Sequence, residues 1–238
     1  MERSKSIFTP LRIEFKIASD LVMVSPIRFD ALLQYFCIQE DIDSGREYSK
    51  FVDYSLPVRK CEVGGHWFWD VSNAIVVPQK ISVDTLKHHV STEGWKAKNI
   101  NIGSGKYCSN ILTFERKQVK SVRFLCYGEK DRITRIAQRI VGQRIGALRK
   151  NGFGLVASAD VQTIDMNYAC WDTQTYLTTR DIPFWGNWSS LWSMMSNIGI
   201  SLKSGRCRPP YYPSYNKEVI PLIMEGSKIN LNGRIRVI

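Results

Sequence analysis

Between residues 11 and 164 the hydrophobic repeat switches between two periods, in an order that few folds accommodate. The stretch "LRIEFKIA" (11–18) alternates strictly. Leu11, Ile13, Phe15 and Ile17 face one way and Arg12, Glu14 and Lys16 the other, the pattern of a half-buried strand. "DALLQYFCIQED" (30–41) follows at helical period, with Phe29, Leu32, Leu33 and Phe36 on its buried side and Asp30 placed to cap it. Strand-like segments come next at 57–63 and 66–77, divided by the turn signal Gly64–Gly65. "NINIGSGKYCSNILTFE" holds two short alternating runs broken by "GSGK", which predicts a hairpin with a basic tip near 98–114. Residues 119–129 read as a strand, and 131–150 as the longest helical pattern of the chain. Ile133, Ile136, Ala137, Ile140, Val141 and Ile145 form its apolar stripe, Asp131 caps it and "NGFG" stops it. The strand 153–164 completes the series.

With the hairpin set aside as an insertion, the order predicts an α+β fold. It is a ferredoxin-like (RRM-like) βαββαβ sheet with two helices on one face. The expected division is a domain over 1–164 and a mixed C-terminal region over 165–238 packed on it. That second part holds Trp171, Trp185, Trp188, Trp192 and "RPPYYPS", and its periodicity is weak. Trp185, Trp188 and Trp192 recur at helical spacing, as in a core or a subunit interface.

Charge narrows the function. The formal net charge is +11 and the pI about 9.4, a balance that points to a polyanionic partner, nucleic acid above all. From Arg132 to Lys150 the chain carries Arg132, Arg135, Arg139, Arg144, Arg149 and Lys150 and no carboxylate. The first three share a helical face, which suits either a solvated surface or a phosphate backbone. At the end of this stretch Gly152 and Gly154 flank Phe153. Two glycines there allow another backbone to approach closely and free amide N–H groups for phosphates. Phe153 itself either packs in the core or stacks on a base.

Other chemistries find no motif. "GFGLVA" lacks the third glycine of a dinucleotide fingerprint and opens a strand, and "GSGKY" lacks the first glycine and the Ser/Thr of a P-loop. The six cysteines include no C-x-x-C pair and suit reduced thiols. No cofactor or metal is expected. There is no secretory signal and no apolar run long enough to span a membrane, so a cytoplasmic location is expected. His66, His88 and His89 are the only histidines; the first sits among aromatics and the other two are adjacent, a poor metal pair.

Two anchors, "PIRFDALL" (26–33) behind a first strand and the basic glycine turn before the last one, resemble the RAMP (repeat-associated mysterious protein) superfamily of CRISPR systems. Over roughly 10–164 the chain resembles the five-prime-handle-binding subunit of type IV CRISPR effector complexes. The resemblance implies a non-catalytic subunit that holds the 5′ handle of CRISPR RNA, caps an RNA-guided complex recognising DNA, and touches its backbone and large subunits in a prokaryotic cytoplasm. It places Arg144, Arg149, Lys150, Gly152 and Gly154 on handle phosphates, and Lys98, Lys106 and Tyr107 near RNA or the neighbouring subunit. The basic helix, including Arg132, Arg135 and Arg139, meets either RNA or target DNA. Two alternatives stay open: a metal-independent endoribonuclease that matures CRISPR repeat RNA through a histidine, and a basic protein-interaction domain.

Overall fold

A computed structural model describes residues 8–48, 54–88, 110–184, 200–209, 211, 220–229 and 231–238. The described chain is mixed α+β, with two α-helices and antiparallel sheets. Its strands are β1 (Thr9–Ile17), β2 (Leu21–Val22), β3 (Lys60–Val63), β4 (His66–Trp69), β5 (Ile75–His88), β6 (Asn110–Gly128), β7 (Val156–Thr163), β8 (Ile182–Pro183), β9 (Leu202–Gly205), β10 (Ile220–Ile223) and β11 (Arg236–Val237). The helices are α1 (Phe29–Asp43) and α2 (Lys130–Ile140).

The main sheet runs β5, β6, β1, β7 across its width, with β2 continuing beside β6 past the end of β1. Strict alternation makes β1 a central strand. Leu11, Ile13 and Phe15 are fully buried, each worth about 1.5–3 kcal/mol in removed apolar surface. Against them packs a first core centred on Phe124 of β6, which stacks on Phe29 of α1 at 4.9 Å and meets Phe15 edge-on at 6.0 Å. Phe29, Leu33, Phe36 and Cys37 of α1 join Ile133, Ile136, Ala137 and Ile140 of α2 in the same cluster.

Four details differ from the sequence expectation. The hairpin is no insertion: its arms are β5 and β6, from Ile75↔Arg123 out to His88↔Asn110, and the strand expected at 119–129 is the continuation of one of them. Its tip, with Lys98, Lys106, Tyr107 and His89, lies outside the described residues, as do Trp185, Trp188 and Trp192. Of the strand segments expected at 57–63 and 66–77, Lys60–Val63 and His66–Trp69 instead join β11 in a separate three-stranded sheet, β11-β3-β4, and the main-sheet strand starts at Ile75. There Cys61, Val63 and Phe68 enter a second core with Trp171, Ile182, Leu222, Leu231 and Ile235. The β3–β4 hairpin thus faces both cores, since Trp69 of β4 is buried in the first.

The third correction concerns α2, which ends at Ile140 rather than at Lys150. Residues 142–145 are drawn out of the helix by hydrogen bonds to the start of β7. The amides of Gly142 and Ile145 donate to Val156 and Gly154 carbonyls, and the Val156 amide donates back to Gln143 O. "NGFG" is thus the far side of a loop, not the helix stop. The fourth concerns caps. Residues Arg28 and Glu129 hold the N-cap positions, leaving Asp30 and Asp131 inside the first turns.

Candidate nucleic-acid interface

The sequence motif 26–33 has its own structural reason. Asp30 is completely buried at the start of α1. Its carboxylate accepts from the Tyr211 hydroxyl at 2.6 Å and the Arg180 guanidinium at 3.1 Å. Arg180 is 1% exposed and also donates to the carbonyls of Trp69 and Cys207, both at 2.8 Å. Burial alone would lower the Arg180 pKa, but Asp30 and Tyr211 more than offset it and hold it raised. Burial, reinforced by Asp30, pushes the Tyr211 phenol up, so it stays a donor. Beside this pair Arg28 donates to Asp181 at 2.8 Å and lies over the Tyr211 ring at 4.0 Å, and Lys203 reaches Asp181 at 2.7 Å. The motif is a charge knot that ties α1 to the C-terminal core.

The basic stretch divides in two. Arg132 and Arg139 turn toward α1: Arg139 donates to Asp43 at 2.5 Å and lies 3.9 Å from Glu40, and Arg132 lies 3.9 Å from Glu40 and 3.7 Å from the Cys37 thiol. The expectation of an unneutralised helical face is corrected for these two, since α1 supplies their counter-charges. Arg135 is exposed, and among the described residues it has no carboxylate partner. The same holds for Arg144, Arg149 and Lys150.

These three stand on the loop 141–155, whose backbone is held at several points. The Ala147 amide donates to Val22 O, the Gly154 amide to Asp20 O and the Gly152 amide to Arg149 O. Gly152 and Gly154 therefore do not offer free N–H groups, contrary to expectation. The close approach that glycine permits at 154 is internal: a Cβ there would stand 1.9 Å from Ile145 O, and φ is +73°. Leu148 takes φ 50°, which costs an L-residue roughly 1–2 kcal/mol and sets up the short 3-10 turn Arg149–Asn151. Phe153 packs edge-on against Phe114 of the hairpin arm at 5.5 Å, joining the loop to β6. What the loop presents outward is cationic side chains.

Between this loop and α1 lies an open cavity of about 400 Å³. It is lined by the N-cap residue Arg28, by Ala31, Leu32, Tyr35 and Phe36 of α1, where Leu32 and Phe36 also pack on the first core, and by Gln143–Ala147 and Arg149. Among the described residues no carboxylate lines it. Tyr35 is 53% exposed, its ring edge-on to Phe36 at 5.1 Å. Sequence reasoning missed Tyr35, because an exposed tyrosine on an amphipathic helix carries no signal until a facing loop makes a wall opposite it.

The helix-free face of the main sheet offers less. Its central pairs are Arg12↔Leu125, Glu14↔Arg123 and Lys16↔Ser121. Tyr127, at the end of the same row, is covered by the Arg59 guanidinium 3.5 Å from its centroid, and its hydroxyl donates to Met166 O. An RRM-type platform needs open aromatics on the central strands, and β1 and β6 do not provide them. His66 lies on β4 in the β11-β3-β4 sheet. Among the described residues no group of His, Cys, Asp and Glu is arranged to hold a metal, and no helix is long and apolar enough to cross a membrane.

Residues 9–92 match the family model of the CRISPR type IV associated protein Csf3. The likeness to type IV CRISPR-associated proteins, read from "PIRFDALL" and its preceding strand, is shown by that match. No curated protein matches the sequence. Among solved structures, a chain in the cryo-EM structure of the Type III-B Cmr-beta bound to cognate target RNA is similar over 66% of this chain and 61% of its own. The sequence identity is 12% and the TM-score 0.42.

Proposed function

We propose that this chain is a non-catalytic RNA-binding subunit of a type IV CRISPR effector complex. In that role it holds the repeat-derived 5′ handle of CRISPR RNA at one end of the assembly, in a prokaryotic cytoplasm. The observation that carries the reading is the cationic loop. Arg144, Arg149 and Lys150 project from a backbone fixed by internal hydrogen bonds, lack carboxylate partners among the described residues, and border the motif inside the Csf3-like segment. Spare cations on a rigid frame suit phosphates, because binding costs little ordering and no broken ion pair. The loop carries no histidine or carboxylate to serve as general acid or base, which suits holding RNA rather than cutting it. The β5-β6-β1-β7 order, with one helix between β1 and β5 and another between β6 and β7, supports a ferredoxin-like RAMP fold for the main sheet. The hairpin and the C-terminal core are then free to meet the backbone and large subunits, with target DNA beyond them.

The test is binding of a labelled CRISPR repeat RNA by the purified chain across a salt series, without metal. The expected result is salt-sensitive binding of intact RNA. Arg149→Ala/Lys150→Ala should reduce the slope of log affinity against log salt by about 1.4, at roughly 0.7 per single-strand phosphate contact. Cleavage within the repeat would overturn the non-catalytic assignment. Binding unchanged by the double substitution would overturn the loop as its seat.

A further inference from the structure

We infer that the cavity between α1 and the 141–149 segment receives one unstacked base of the bound RNA, with Tyr35 as its stacking wall. This rests on the RNA-binding reading and adds a base-recognition subsite to a loop otherwise assigned only to phosphates. Three features argue for it together. The first is size. At about 400 Å³ the cavity falls at the small end of ligand sites, about 300–1,000 Å³. It suits a single nucleotide, whereas a helix about 10 Å across would fill it in roughly one turn.

The second is charge. Arg144 and Arg149 line the cavity, and among the described residues no carboxylate does, so its charge favours an anion. Arg28 also lines it, but its guanidinium is committed to Asp181 and the Arg206 carbonyl and serves as wall.

The third is the inner surface. Leu32, Ile145 and Ala147 give an apolar floor, and Tyr35 offers a half-exposed ring whose orientation is fixed by Phe36. Aromatic stacking beside a cationic track is how proteins hold single-stranded bases. Gln143, also on the lining, brings a side-chain amide with both donor and acceptor to address the base edge. An acidic peptide would match the cations but leave the aromatic wall without a partner, so RNA is the better occupant.

The experiment scans a labelled cognate repeat RNA with one abasic nucleotide at a time, against wild type, Tyr35→Ala and Tyr35→Phe. Tyr35 is exposed enough that its removal should leave folding intact, checked by thermal melting. In wild type, one position should lose about fivefold to a hundredfold in affinity when its base is removed. That loss should vanish in Tyr35→Ala, persist in Tyr35→Phe, and leave the salt slope alone. Identical abasic profiles in wild type and Tyr35→Ala would overturn the subsite. So would a Tyr35→Ala chain that binds every RNA normally but no longer assembles with its partner subunits, since the cavity would then be a protein contact. In both cases salt-sensitive binding that depends on Arg149 and Lys150 would still stand, separating failure of the subsite from failure of the RNA-binding reading. RNA that does not bind at all would overturn both.

Discussion

The arginines at the foot of α1 and those of the loop 141–152 are close neighbours in the fold and opposite in chemistry. Arg180 is sealed, with Asp30, three carbonyls and a phenol around it. Arg144 and Arg149 are exposed and line the cavity beside α1. Between these extremes, Arg132 and Arg139 lie across α1 carboxylates in open view. The difference teaches that a run of cations does not define an interface. What defines it is the subset that the fold leaves without counter-charge, and here the partners that remove the others come from α1, some ninety residues earlier in sequence.

Substitutions can break this contrast at graded strengths. The largest effect belongs to the buried pair. Asp30→Ala strands the Arg180 charge in the interior and should cost about 3–5 kcal/mol in urea unfolding. The double replacement Asp30→Leu/Arg180→Met should be far milder than the sum of the singles. Second comes Arg149→Ala/Lys150→Ala, which should weaken repeat-RNA binding about tenfold or more at low salt, at about 0.7 in slope per contact, with an unchanged melting temperature. Third, Arg139→Ala should cost under about 1 kcal/mol of stability, as exposed ion pairs do, and leave the RNA salt slope unchanged. If it lowers the slope as much as the loop variant does, the division between spent and spare cations is wrong.

The smallest effect is a pH dependence on the open sheet face. Bonds from Ser121 and Lys16 hold the Glu14 carboxyl below its ordinary value of 4.5. A lowered carboxylate contributes stability that is full above its unfolded pKa and is lost as pH falls through its folded one. Glu14→Gln should therefore cost a fraction of about 1 kcal/mol at pH 7 and progressively less as the pH is taken down below 4.5, measured by denaturation across that range.

Where structure is imposed by near neighbours, the sequence was legible. The alternation of β1 and the apolar stripes of α1 and α2 fall where their periods put them, because each buries one face on a single core. The end of α2 was not legible. Its apolar period continues through Val141 and Ile145, and only the bonds to β7 take those residues out of the helix. Asp30 read as a cap because an aspartate before an apolar run usually is one; its true partner, Arg180, is 150 residues away. The C-terminal part was opaque for a related reason. Its strands of two to four residues are too short to show a period, and part of its core comes from β3 and β4. Of the candidate interface, the loop cations were readable one by one, but the cavity exists only once α1 faces them.

The sharing of the second core also sets an order of events at the ribosome. The β3–β4 hairpin carries Cys61, Val63 and Phe68, whose burial waits for Trp171, Leu222 and Ile235. The last edge of its sheet, β11, pairs Val237 with Cys61. At about 5–20 residues per second of synthesis, that hairpin stays uncovered for roughly 8–30 s after it emerges. During that interval the first core can already close around β1, but not until β6, α2 and β7 have been made. The nascent chain thus trails an apolar hairpin that is sheltered only once residues through Val237 have been made, which makes it the natural place for a chaperone to hold and the first place a product cut short before them would aggregate.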